Sequence, residues 1–314
     1  MFIDTLIEKI REKDNPSVVG LDPKIEYVPS FIKEDMYKKY GKNLKAVAEA
    51  ILLFNKYIID AVYDIVPAVK PQLAYYEMYG LEGMRVFYET CKYAKEKGLL
   101  VIADGKRNDI GSTAQCYSAA YLGKTDIDEG ISEAVFDVDA LTVNPYLGVD
   151  GIKPFIDDCV KYNKGIFVLV KTSNKSSGEI QDILTQEGRS IYEIVAEYVE
   201  SWGENKKGKY GYSCVGAVVG ATYPNLAKIL RKILKNSYIL VPGYGAQGGT
   251  ARDVAHCFNY DGLGAIVNAS RSIMCAYKSE QWKNVYSEEK FYEASRAEAI
   301  RMRDDINSAL RDRK

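Results

Sequence analysis

The chain has 314 residues, 47% hydrophobic and 27% charged, the composition of a globular protein large enough to hold a polar site without disulfide or metal support. Its 42 Lys and Arg against 43 Asp and Glu leave a formal net charge of −1. That balance excludes a general nucleic-acid or anionic-membrane binder, which needs a basic excess, but leaves room for a small anion in a local cationic pocket. The single histidine, His256, excludes histidine triads and most zinc sites.

In chain order, residues 1–13 open with Met1-Phe2-Ile3-Asp4 and soon meet Glu8, Arg11, Glu12 and Lys13, which predicts an amphipathic helix and not a signal peptide. Eight short apolar runs follow, at 17–22, 65–72, 99–106, 140–146, 165–172, 214–222, 238–245 and 264–270. Each has the length of a buried parallel strand and is near-continuously apolar, without alternation. Helical patterns lie between them, at 43–59, 81–97, 191–202 and 251–258; the last holds His256, read as a surface or packing residue. Strand alternating with helix eight times predicts an α/β fold of the (β/α)8 TIM-barrel type. An open, doubly wound sheet is the structural alternative, since periodicity does not report closure.

Such a barrel needs about 250 residues, so the expected single domain, 1–314, carries N- and C-terminal helical extensions around strands spanning about 17–270. Further insertions are expected at 123–137 and 173–189. The segment from about 288 to 314 is charge-dense at helical spacing, as in a solvated helix against the barrel wall. No apolar run is long enough to cross a membrane. The six cysteines are scattered without a C-x-x-C pair and read as buried reduced thiols of a cytoplasmic protein.

In such barrels the active site lies at the carboxyl ends of the strands. The first run ends in Leu21-Asp22-Pro23, the second in Val69-Lys70-Pro71-Gln72, and the third in Ala103-Asp104-Gly105-Lys106-Arg107-Asn108-Asp109-Ile110. Asp104 and Lys106 are two apart, so on a strand they share a side. Beside Asp22 and Lys70 they form a cluster of alternating acid and base, costly to bury unless mutually paired. Structural ion pairs at strand ends are the bland reading. A lysine among carboxylates favours its ammonium form and suits proton donation better than Schiff-base chemistry.

After the seventh run comes Gly243-Tyr244-Gly245-Ala246-Gln247-Gly248-Gly249. It matches G-x-G-x-x-G, but a dinucleotide fingerprint belongs in the first βα turn with an acidic residue about 20 positions on. A phosphate loop fits better, with Arg271 after the eighth run as a bidentate cation. A flexible glycine turn is the bland alternative.

These residues, in order, resemble a known family. Asp104-x-Lys106-x-x-Asp109-Ile110 followed by Thr113 is similar to the signature of orotidine 5′-phosphate decarboxylases. Leu21-Asp22, Val69-Lys70, Pro242 to Gly249 and Ser270-Arg271 match it in sequence. The length and the wording of Lys70-Pro71-Gln72 and Lys171-Thr172-Ser173-Asn174 resemble the longer bacterial subgroup. Ser270 departs from it, standing where many relatives carry glycine.

The resemblance implies a metal- and cofactor-free barrel decarboxylase that converts orotidine 5′-phosphate to uridine 5′-phosphate. Lys70, Asp104, Lys106 and Asp109 would form the catalytic set, with Asp104 against the substrate carboxylate and Lys106 stabilising and protonating the C6 carbanion. Asp22 and Lys70 would hold ribose hydroxyls, and Ser173 the pyrimidine amide edge. Gln247 and Arg271, with backbone amides near Gly245, would hold the 5′-phosphate, and Pro242 would be a further substrate-binding residue. Asp109 and Thr113 would reach a neighbouring subunit's site, which implies a homodimer. Asn144 is a further candidate for the site wall. Two rivals stay open, a Mg-dependent sugar-phosphate lyase or aldolase of the same barrel suprafamily and a silent nucleotide-binding barrel; a third, an NAD oxidoreductase, fails on the place of the glycine run in the topology. The first would carry a glutamate where Lys70 stands, and the second would have lost part of the charged set.

Overall fold

Eight short apolar strands lie parallel and close on themselves, which settles the choice between barrel and open sheet. The computed structural model describes residues 1–222, 224–245 and 248–313. The strands are β1 (Ser17–Leu21), β2 (Ala68–Pro71), β3 (Leu100–Arg107), β4 (Thr125–Asp128), β5 (Ile131–Glu133), β6 (Ala140–Val143), β7 (Gly165–Lys171), β8 (Val215–Val219), β9 (Ile239–Pro242) and β10 (Ala265–Ala269). The barrel order is β1-β10-β9-β8-β7-β6-β3-β2, and β4 and β5 form a separate antiparallel hairpin. Every residue of β1, β2, β6, β8 and β10 is buried, which is why these runs lack the alternation of a half-exposed strand.

Helices cover the outside. The longer of the two α-helices between β1 and β2, Leu44–Val62, starts where the Asn43 side chain accepts the Ala46 N–H at 3.0 Å. Helix Ile191–Gly203 starts with a capping box between Ser190 and Glu193, the standard solution for the free N–H groups of a helix end.

One apolar cluster draws a residue from every barrel strand (Val18, Ala68, Ile102, Ala140, Phe167, Val218, Leu240 and Ile266) and adds Phe2, Ile3, Leu6, Ile7 and Ile10. The N-terminal helix, Phe2–Lys13, therefore packs into the lower end of the barrel interior. Phe2 meets Phe167 edge-on with ring centroids 6.4 Å apart. The opposite end, where the strands finish, is left for the site.

The insertion expected at 123–137 holds the β4–β5 hairpin. The C-terminal helix, Phe291–Arg311, buries Phe291, Ala294, Ala299, Met302 and Ile306, and with them one charge, Glu298, which accepts from Trp282 and Arg301. No helix among the described residues is long and apolar enough to cross a membrane.

Candidate active site

β2 lies between β1 and β3 in the barrel, so the charges that end these three strands come together. Lys70 Nζ donates to Asp104 Oδ2 at 2.6 Å, and Lys106 Nζ donates to Asp104 Oδ1 at 2.7 Å. Lys70 is only 3% exposed and Asp104 8%, whereas the Lys106 side chain keeps 45%. Of the two lysines, only Lys106 faces the open space.

The backbone that delivers Lys106 is not a plain strand. Ala103 pairs with Leu141 and Arg107 with Val143, so β3 sets four residues against two on β6. Lys106 itself takes φ +48°, a left-handed conformation that a residue with a Cβ rarely adopts. The shared side of Asp104 and Lys106 thus comes from a bulge and not from simple alternation. Thr142 on β6 holds it: its Oγ1 accepts the Lys106 N–H at 2.9 Å and donates to Asp104 Oδ1 at 2.8 Å.

The electrostatics follow from this packing. Burial works against the Lys70 ammonium, but Asp104 and Asp22 outweigh it and raise its pKa. Burial likewise pushes the Asp104 carboxyl up, but Lys70 and Lys106 together pull it well below the usual carboxylate range. Asp104 is a stable anion whose two oxygens are both committed to ammonium groups.

A cavity of about 720 Å³ opens above this array, lined by Asp22, Lys70, Asp104, Lys106, Ser173, Pro242 and Arg271 among others. Of the residues expected from sequence, these seven are brought together. Asp22 Oδ1 is buried without a hydrogen-bond partner among the described residues, and so is Asn268 Oδ1, also on the wall. Arg271 opens a short helix after β10 and is exposed; it makes no ion pair among the described residues.

Other expected residues lie elsewhere. Gln247 falls outside the described residues. Gly245 does not line the cavity; its N–H donates to Gly249 O at 2.9 Å within the glycine run. Gly243, Gly245 and Gly248 take φ of +97°, +70° and +92°, values that favour glycine. Asp109 accepts the N–H of Ile110 at 2.8 Å, and Thr113 is exposed on helix Gly111–Tyr121; neither lines this cavity. Asn144 does not line it either, because its Oδ1 is turned to the Tyr146 N–H at 3.0 Å.

Several wall residues escaped the sequence reading: Thr142, Asn268, Tyr27, Tyr75 and Gln181. Thr142 had a usable signal, an inward position two residues before Asn144. Gln181 had none, since the chain reaches the cavity only by folding back. Its Oε1 accepts the Thr172 N–H at 3.0 Å and its Nε2 donates to Thr172 Oγ1 at 2.8 Å. The Ser270 departure is accommodated by Gly20, where a Cβ would lie 2.0 Å from Ser270 Oγ.

Fold and site together define a (β/α)8 barrel with a cavity lined by charged side chains at its strand ends. Residues 32–284 match the model of the orotidine 5′-phosphate decarboxylase / HUMPS family, and the chain belongs to that family. It is 45% identical over 309 residues to the orotidine 5′-phosphate decarboxylase of Caldicellulosiruptor saccharolyticus, covering 98% of this chain and 99% of that one. It is 42% identical over 310 residues to the enzyme of the same name from Clostridium acetobutylicum, covering 99% and 100%. Among solved structures, Leishmania donovani OMP decarboxylase is similar with a TM-score of 0.71 and 27% identity over 98% of each chain.

Proposed function

We propose that this chain decarboxylates orotidine 5′-phosphate to uridine 5′-phosphate, the last step of de novo pyrimidine synthesis, without metal or cofactor. The observation that carries the reading is the Lys70–Asp104–Lys106 array, in which the more exposed lysine, Lys106, is held by a buried carboxylate that Lys70 holds from its other oxygen.

The C6–carboxylate bond breaks with its electron pair left on C6, a vinyl-type carbanion with no electron sink. An ammonium already in place opposite that charge is worth several kcal/mol in a water-poor site. Lys106 supplies it and then delivers its proton to C6; the neutral amine regains a proton from solvent. Asp104, an anion in the folded protein, would lie against the departing carboxylate. Lys70 neutralises one side of Asp104 and stiffens the array. Asp22, with its unpaired buried acceptor, suits a ribose hydroxyl donor, and Ser173 suits the pyrimidine amide edge. Arg271, Gln247 and the glycine run would hold the phosphate, with Pro242 at the entry to that run.

This arrangement disfavours the Mg-dependent sugar-phosphate lyase. At the end of β2 it places a cation, Lys70, and Asp104 has no oxygen free of an ammonium. Among the described residues no three His, Cys, Asp or Glu side chains gather in a metal-holding group.

A homodimer with shared sites belongs to the same reading. Asp109 and Thr113 stand outside their own cavity, next to the exposed Ile110, and the loop that meets Asp109 at Gly151 exposes Tyr146, Leu147 and Val149. Such a group of apolar side chains marks a contact surface.

The test is turnover in D2O. Wild type should release CO2 and give uridylate with deuterium at C6. Lys106→Ala should lose turnover by at least about 10³-fold, whereas Arg271→Ala should mainly raise KM. Substantial activity in Lys106→Ala would overturn the mechanism.

A further inference from the structure

We infer that Asp305, on the C-terminal helix, is a positioning residue for the glycine run after β9, acting through Tyr244. The inference rests on the reading above, in which that run holds the substrate's phosphate.

Tyr244 is the fixed point of the run. It sits between Gly243 and Gly245, both at positive φ, and forms a bridge with Gly249 that closes the turn. It lines the cavity yet is only 4% exposed, because its ring is turned inward. Its hydroxyl donates to Asp305 Oδ2 at 2.5 Å, across 61 positions of sequence. A hydrogen bond to a carboxylate is stronger and more directional than one between neutral groups, and here one end is buried.

The other end is anchored. Asp305 lies on helix Phe291–Arg311, whose inner face packs Phe291, Met302 and Ile306 into the core. Glu298 on the same helix is occupied by Arg301 and by the Trp282 indole. Beyond the helix, Arg313 donates to the carbonyls of Ala255 and Phe258, at the far end of the short helix Ala251–Ala255. The C-terminal segment therefore holds the chain within the run, at Tyr244, and beyond it, at 255 and 258. Apolar packing accounts for the helix but not for the pairing, since a phenylalanine would fill the Tyr244 site equally well. What the pairing adds is location: a Cβ on Gly245 would come within 3.7 Å of Ser272 Oγ, so the run lies beside the segment that carries Arg271.

Steady-state kinetics with orotidylate and calorimetric titration with uridylate test this in the full-length chain. Tyr244→Phe and Asp305→Ala should each raise KM and weaken uridylate binding by about tenfold, the loss of one strong hydrogen bond, with kcat within about twofold. Asp305→Asn, which keeps an acceptor, should recover most of that loss. The double variant Tyr244→Phe/Asp305→Ala should be no worse than Tyr244→Phe alone, because removing the hydroxyl already removes the Asp305 contact. Unchanged KM and uridylate affinity in both single variants, kcat falling as far as kcat/KM, or losses that add would overturn the inference. Wild type without orotidylate turnover would instead overturn the decarboxylase reading. The uridylate titrations would still decide the positioning role: binding weakened in the variants sustains it, and binding unchanged removes it.

Discussion

Thr142 and Lys106 are joined across the β3–β6 bulge: Thr142 Oγ1 accepts the Lys106 N–H at 2.9 Å while its own proton goes to Asp104 Oδ1 at 2.8 Å. One hydroxyl thus fixes both the left-handed backbone of the lysine and the orientation of the carboxylate that holds its side chain. Thr142→Val keeps the shape and removes both bonds. It should lower stability by about 1–3 kcal/mol, the desolvation penalty of polar groups left unpaired. It should also reduce kcat by about tenfold through looser placement of Lys106. Thermal unfolding and steady-state kinetics on the same preparation check both; a variant with full kcat would show that the bulge holds without Thr142.

The buried Lys70–Asp104 pair sets a pH window. Asp104 sits below its ordinary 3.8, so its contribution to stability is present above that pH and is lost as pH falls through the folded value. Lys70 sits above its ordinary 10.5, so its contribution is present below that pH and is lost as pH rises through the folded value. Lys70→Met should therefore destabilise by up to about 3–5 kcal/mol across neutral pH, the consequence of leaving the buried Asp104 with only one ammonium partner, Lys106. The gap to wild type should narrow in acid below 3.8, where Asp104 is protonated more readily in the variant. Urea unfolding at a series of pH values measures it; a gap that widens in acid would reverse the assigned sign.

Gly20 and Ser270 should behave as a matched pair. A Cβ at position 20 would stand 2.0 Å from Ser270 Oγ and 3.0 Å from Asn268 Oδ1. Gly20→Ala should destabilise by about 1–3 kcal/mol through overpacking at the site wall. Ser270→Gly in the same chain should restore most of that loss, with the Asn268 contact left as the remainder. A double variant no more stable than Gly20→Ala would place the strain elsewhere.

If Asp109 serves the neighbouring subunit, two inactive proteins can repair one another. Asp109→Ala and Lys106→Ala homodimers, mixed and allowed to exchange subunits, should regain activity, because each hybrid holds one site with both residues intact. The shared-site dimer is untenable if activity stays at the sum of the separate proteins after exchange is demonstrated by sedimentation or mass spectrometry.

How much of this was legible in the sequence depends on the range of the signal. The barrel was, because parallel strands buried on both faces leave continuous apolar runs; their ends were read too long at Ile65 and Val66 before β2, where burial outlasts pairing, and at 144–146 after β6, where the chain has already turned out to half-buried and exposed positions. The charged array was legible because its members end consecutive strands. The bulge was not, since a left-handed Lys106 leaves no mark in composition. Thr142 read as an ordinary β-branched strand residue, and Asn144, two positions on, drew attention although its side chain serves a local turn. The β4–β5 hairpin is short and exposed, so it lacks the buried pattern that revealed the barrel strands. The Tyr244–Asp305 bond joins positions 61 apart, a distance that no periodicity reports.

The measurement that reaches furthest is orotidylate turnover by the purified protein, followed by loss of the orotate absorbance, with and without EDTA. The account predicts turnover at the same rate in both. No turnover, or turnover that EDTA stops, would contradict it and return the metal-dependent lyase or the silent barrel to the front.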